Sequence, residues 1–205
     1  MSVNPSLASP SVTNPFSTRW IHPGAVPYLF PTGTDAVQLV AHLGELGWWA
    51  QILGEHGSGK STLLQSLLLP LENAGRRVEL HVLHAGESRL PLGLSHPWQT
   101  GQDTQVIVDG YEQLGWYARR SLQRQCRLRN SGLLVTAHHP LRLPLLWKTE
   151  STLALAQAVV SQLLPSDQIQ AITREDVRRV YAACAGNLRE MLFALYDLFE
   201  ERNPR

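Results

Sequence analysis

Gly54-Glu55-His56-Gly57-Ser58-Gly59-Lys60-Ser61-Thr62 is the stretch that decides the fold of this 205-residue chain. It matches G-x-x-x-x-G-K-[ST], the pattern of a phosphate-binding P-loop. The apolar run Trp48-Trp49-Ala50-Gln51-Ile52-Leu53 leads into it, and the helical pattern Thr62-Leu63-Leu64-Gln65-Ser66-Leu67-Leu68 leaves it. The chemistry needs that order. A buried strand anchors the loop, and glycines let backbone N–H groups turn inward around a β-phosphate. The helix that follows points its positive dipole end at the same anion. On this reading residues 54–62 cradle the phosphates, Lys60 reaches the β- and γ-phosphates, and the Ser61 hydroxyl ligates Mg²⁺.

Working outward, strands alternate with helices. Residues 34–46 carry Val37, Leu39, Val40, Leu43 and Leu46 at helical period. Residues 77–83 read as a strand after a helix that Gly75 closes. Residues 85–104 are a long connection rich in Gly, Pro and Ser, of the kind that is often functional in compact domains. Gln105-Val106-Ile107-Val108-Asp109 is a short buried strand, residues 111–129 are helical, and Gly132-Leu133-Leu134-Val135-Thr136 is another strand. This alternation predicts an α/β fold, a three-layer αβα sandwich around a parallel sheet. Residues 150–164 are ambiguous, a last strand over 152–155 running into a helix. From about 166 the texture is helical only. Thr173-Arg174-Glu175-Asp176 opens one helix with a capping box, Gly186-Asn187 breaks it, and residues 188–201 are amphipathic. The expected organisation is a flexible tail over 1–15, an α/β core with an N-terminal arm over 16–165, and a small helical lid over 166–205. The arm carries Phe16, Trp20, Tyr28 and Phe30 among its prolines, so it is expected to pack back onto the body.

Composition narrows the class. A net charge of +1 gives no global argument for nucleic acid or an anionic membrane. Cys126 and Cys184 are far apart in helical patterns, as buried thiols in a reducing compartment are. The Ser/Pro/Asn-rich start lacks the pattern of a secretory signal, and no run of about 18 apolar residues exists to span a bilayer. A soluble cytoplasmic protein is expected.

Asp109 ends an apolar strand one strand unit beyond the P-loop helix, the place of a Mg²⁺ carboxylate in a nucleotide site. Gly110 follows it where water-activating ATPases commonly carry a glutamate. Glu112 is then the nearest candidate base. Its other reading is an acid favouring the N-terminus of the next helix. The strand over 133–136 runs into Thr136-Ala137-His138-His139-Pro140. Strand ends of a parallel sheet face the ligand, so Thr136 and His138 are candidates to sense a γ-phosphate or hold water, with His139 beside them. The adjacent histidines lack metal-site spacing. Arg189, after Gly186-Asn187-Leu188, reads either as a solvent-facing helix residue or as a lid contact to the nucleotide.

With these pieces in order, residues 14–201 resemble the AAA+/STAND branch of P-loop ATPases, in particular compact bacterial AAA ATPases and origin-recognition-like modules. The Asn14-Pro15-Phe16 opening, GEHGSGKST, VIVDGYEQL and GLLVTAHH follow one another in family order, and AGNLREMLFALYDL falls at a sensor-2 helix. VIVDGYEQ is also similar to the hhhhDGhDE pattern of NACHT-type STAND ATPases, with Glu112 at its second acid. The resemblance implies ATP and Mg²⁺ as ligands and Mg²⁺ served by Asp109. It puts Thr136 or His138 at sensor 1, Arg189 at the γ-phosphate from the lid, and the 28–30 arm beside the adenine. The chain departs from the family at the Asp-Glu pair and at the sensor-1 asparagine.

Arg119, Arg120, Arg124, Arg127 and Arg129 crowd residues 119–130 without an acid. A solvated helix face, a phosphate-backbone patch and contact with a neighbouring subunit's nucleotide compete as accounts. The patch itself lacks the interleaved aromatics of a single-strand groove. Arg142 is another candidate for a finger acting between subunits. The leading expectation is a Mg²⁺-dependent ATPase that couples hydrolysis to movement of its lid or of a protein partner, which includes a homo-oligomer. A non-hydrolysing ATP-dependent switch and a small-molecule or nucleoside kinase are the rivals.

Overall fold

The computed structural model describes residues 14–21, 24–84, 86–87, 103–165 and 171–203. The tail over 1–13, most of the 85–104 connection and the Trp20 side chain lie outside the described residues. Five strands form one sheet: β1 (Trp49–Leu53), β2 (Arg77–Val82), β3 (Thr104–Asp109), β4 (Gly132–Ala137) and β5 (Leu145–Lys148). Their order is β2-β3-β4-β1-β5, and every neighbouring pair is parallel. The helices are α1 (Thr18–Ile21), α2 (Ala36–Glu45), α3 (Lys60–Asn73), α4 (Trp116–Leu128), α5 (Leu153–Leu163), α6 (Arg174–Ala183) and α7 (Leu188–Arg202).

The sheet is covered on both faces, which is why β3 and β4 read as continuous apolar runs. Alternate residues divide between two cores. Ile107, Leu134, Ala50 and Ile52 pack with Leu39 and Leu43 of α2 and Leu63, Leu64 and Leu67 of α3. Val106, Val108, Leu133 and Val135 face the other way, against Leu122 and Cys126 of α4. The architecture is thus an all-parallel α/β sheet between helical layers.

A third core joins the C-terminal helices. Ala156 and Val160 of α5 pack with Val177 of α6 and with Met191, Leu195 and Phe199 of α7. On packing, this helical cluster begins with α5 at Leu153, ahead of the 166 expected from the change of texture. It also takes in the arm. Phe16 is fully buried in it, edge-on to Phe199, and Asn14 donates to Tyr196 O at 3.1 Å and to Glu200 at 2.9 Å. Asn14 and Pro15, the described part of the 1–15 segment, are therefore buried rather than tail-like. Thr173 and Asp176 close the expected capping box at α6. Arg202 then clasps the Asp176 carboxylate with both guanidinium nitrogens, at 2.7 and 2.8 Å.

Three local expectations change. Residues 152–155 are no strand, because the Thr152 hydroxyl accepts from Leu155 N and caps α5. The edge strand is β5 instead. Gln51, buried inside β1, secures the chain before it: its side-chain amide bonds Leu141 and Leu143, and its backbone N–H reaches Pro144 O. The expected helix over 111–129 divides into a 3-10 turn, Tyr111–Gln113, and α4, with Leu114 extended between them. Among the described residues no helix is long and apolar enough to cross a membrane.

Candidate functional site

Topology assembles the site. α3 leaves β1 and crosses to β2, so β4 fits between β1 and β3. The carboxyl ends of β1, β4 and β3 therefore lie side by side, and the glycine-rich loop, His138 and Asp109 emerge together. In open parallel sheets ligands bind outside those ends.

At the centre, Thr136 Oγ1 donates to Asp109 Oδ1 at 2.6 Å and accepts from Gly110 N at 2.8 Å. The hydroxyl is thus a brace for the turn after β3. Gly110 has φ of +81°, and a Cβ there would stand 2.6 Å from Leu83 O. A glutamate directly after Asp109 has no room without a shift of the Leu83 backbone.

A second carboxylate near Asp109 belongs to Glu112, in the 3-10 turn. Its Oε1 lies 2.9 Å from His138 Nε2, and its Oε2 has no hydrogen-bond partner among the described residues. Because α4 starts only at Trp116, behind an N-cap at Gly115, Glu112 does not sit in the first turn of that helix. Arg119 fixes the turn from behind, donating to Glu112 O and Leu114 O, each at 2.7 Å.

His138 joins this carboxylate to the loop. Its Nδ1 faces Gly54 O at 3.0 Å and Lys60 Nζ at 3.3 Å. A carboxylate and a carbonyl only accept, so Nε2 carries the proton towards Glu112, while Nδ1 donates to Gly54 O in the protonated ring and accepts from the Lys60 ammonium in the neutral one. Burial and the adjacent Lys60 charge push the His138 pKa below its ordinary value, against the opposing pull of Glu112. His56, exposed on the loop, stacks on this ring with centroids 3.7 Å apart.

Lys60 folds across the loop, donating to Gly54 O at 2.7 Å and Glu55 O at 2.9 Å. Burial lowers its pKa, while Glu112, Asp109 and the exposed Glu55 raise it and the Arg189 charge lowers it further. Ser58 Oγ bonds Glu55 O at 2.8 Å and Thr149 Oγ1 at 2.6 Å, which ties the loop to the end of β5. Gly54 is packed against that threonine so closely that a Cβ would overlap its hydroxyl. Ser61 and Thr62 are half-buried in the first turn of α3.

The helical cluster meets the loop at Gly57. A Cβ on Gly57 would overlap Asn187 Oδ1 and lie 3.3 Å from Arg189 N. Asn187 is the N-cap of α7, accepting from Arg189 N at 3.1 Å and Glu190 N at 3.2 Å. The start of α7 thus rests on the loop, with the Arg189 side chain exposed beside it. On the other side, the Tyr28 ring lies 3.6 Å from where a Gly59 Cβ would stand. Its hydroxyl accepts from Trp147 Nε1 at 3.1 Å, and its ring meets Phe30 edge-on.

The structure therefore brings residues 54–62, Asp109, Glu112, Thr136, His138 and the α7 start together. His139 and Arg142 are exposed beyond β4, and among the described residues neither has a hydrogen bond or ion pair with this group. Thr149 and Asn187 are the site neighbours that sequence reading passed over. Thr149 follows a strand that the sequence does not mark, and Asn187 stands in the sequence only as part of the Gly186-Asn187 break, with its cap and loop contact visible in the structure. Among the described residues no group of three or more His, Cys, Asp or Glu could hold a metal on its own. Compared with known proteins, the chain matches no family model, and no curated protein matches it significantly.

Proposed function

We propose that this chain is an AAA+-like P-loop ATPase that binds Mg²⁺ and ATP at residues 54–62 and hydrolyses the γ-phosphate. One observation carries the reading. His138 touches both Lys60 and Glu112, so the loop lysine and the only carboxylate of the 3-10 turn converge on one imidazole. Lys60 meets a phosphate by exchanging the loop carbonyls for anionic oxygens, and the backbone N–H groups of the loop and the start of α3 complete the cradle. Ser61 and Asp109 would hold Mg²⁺. Their hard oxygens suit that ion, which normally takes one or two protein ligands and fills its sphere with phosphate and water. When bound, the ion supplies charge neutralisation on the phosphate oxygens.

Glu112 Oε2 is buried without a partner, so a turn of this side chain towards the phosphates would let the carboxylate orient a water and take its proton as the water oxygen attacks the γ-phosphorus and the bond to the β-phosphate bridge breaks. His138 holds that carboxylate in place through Oε1. Tyr28 and Trp147 offer an aromatic wall for the base. The α7 start on Gly57 is the part of the helical lid that the filled loop would move, which supports coupling to lid position. A non-hydrolysing switch has its own support, since His138 already occupies Glu112 Oε1.

Phosphate release separates the two. In the ATPase, Glu112→Gln keeps ATP binding and lowers release by about 10²- to 10⁴-fold. Equal release by both proteins removes Glu112 from hydrolysis. Release that requires a small-molecule acceptor would instead make the chain a kinase.

A further inference from the structure

The outer face of α4 has no role in the nucleotide site. Its first turn carries Trp116 and Tyr117, 65% and 82% exposed and packed edge-to-face on one another with centroids 4.6 Å apart. Exposure on this scale is costly for two large aromatic rings placed side by side, and neither belongs to any of the hydrophobic cores. The helical repeat puts Arg120 and Arg124 on the same face, one and two turns further on. Both arginines are exposed, and neither makes an ion pair among the described residues. No acidic residue occurs in α4.

The remaining arginines of this segment have other duties. Arg119 points inward to the Glu112 turn, Arg127 lies over the Trp49 ring at 5.2 Å, and Arg129 is half-buried. Of the five arginines, Arg120, Arg124 and Arg127 are exposed, Arg127 resting on Trp49, and the aromatics missing from their own segment stand immediately ahead of Arg120 and Arg124 on the helix.

We infer that this face binds single-stranded nucleic acid, with bases stacking on Trp116 and Tyr117 and phosphates meeting Arg120 and Arg124. The chemistry selects that partner. A stripe with flat apolar surfaces at one end and unpaired guanidinium groups along about 12 Å of helix complements a polymer that alternates π-faces with anionic charge. A duplex hides its base faces, and an acidic peptide gives the paired rings nothing to stack upon. The low net charge of the whole chain does not oppose this, because the charge that matters is local.

Fluorescence anisotropy of labelled oligothymidylate and oligouridylate, titrated with the full chain in the absence of nucleotide, tests the inference independently of ATP chemistry. Binding of either strand is expected to weaken about 5- to 150-fold in Trp116→Ala, the range for losing one stacked base. Each single-strand phosphate contact adds about 0.7 to the log–log salt slope, so Arg120→Ser with Arg124→Ser lowers that slope by about 1.4. These side chains are outside the cores, so thermal melting of the variants should match the parent. No saturation of either strand by about 100 µM would overturn the inference, as would equal affinities in parent and Trp116→Ala proteins. Self-association that depends on Trp116, without oligonucleotide binding, would also overturn it and assign the face to a second copy of the chain.

Discussion

Gly57→Ala tests the contact between the helical cluster and the glycine-rich loop. Two terms set its cost. Gly57 has φ of +71°, and an L-residue held in that region loses roughly 1–2 kcal/mol. The new methyl also overlaps Asn187 Oδ1, so the cap must leave its place. That cap accepts from Arg189 N and Glu190 N, and losing such a cap costs about 0.5–2 kcal/mol. Together the variant should lose roughly 1.5–4 kcal/mol, readable by urea denaturation followed by circular dichroism. Asn187→Ala alone removes the capping oxygen and should cost the second term only. In the double variant the overlap has no partner and the cap is already gone, so Gly57→Ala adds only the backbone term. The two substitutions must then be less than additive by about 0.5–2 kcal/mol. Additivity within about 0.3 kcal/mol would refute the contact, because independent sites behave that way.

Two further outcomes follow from groups that the structure leaves no substitute for. Thr136→Val keeps the buried shape but deprives Gly110 N–H of its acceptor and Asp109 of its donor, so thermal or urea unfolding should show a loss of about 1–3 kcal/mol. Acid sensitivity should trace to the helical cluster: Arg202 beside Asp176 holds that carboxyl well below the usual carboxylate range. A depressed carboxyl contributes stability that is fully present above its unfolded value near pH 4 and is lost as pH falls towards the folded value. The stability-against-pH slope below about pH 4 should therefore flatten in Arg202→Ala, measured by urea unfolding at each pH.

Much of this arrangement was legible in the chain because its strands are buried on both faces. Runs such as Val106-Ile107-Val108 and Leu133-Leu134-Val135 announce interior parallel strands, and the loop at 54–62 fixes what precedes and follows it. β5 escaped for the opposite reason. It is a short edge strand between Pro144 and Lys148, with Leu145 exposed, so neither alternation nor length marks it. Thr149, its continuation at the site, was hidden with it. Packing groups α5 and Phe16 with α6 and α7 in one core, a partnership that the change of texture near 166 does not mark. Such long-range partnerships leave no local pattern. The same holds for His138, at the end of β4, whose neighbours follow the ends of β1 and β3, and for Gly110, whose meaning depends on the approach of Leu83 O.

Calorimetric titration of the chain with ATP in the presence of Mg²⁺, set beside the same titration of Lys60→Ala, addresses the central claim most directly. The account predicts a single saturable site in the parent protein and its loss in the variant, with the fold of both intact by circular dichroism. Absence of binding in the parent, or equal affinity in the two proteins, would contradict it.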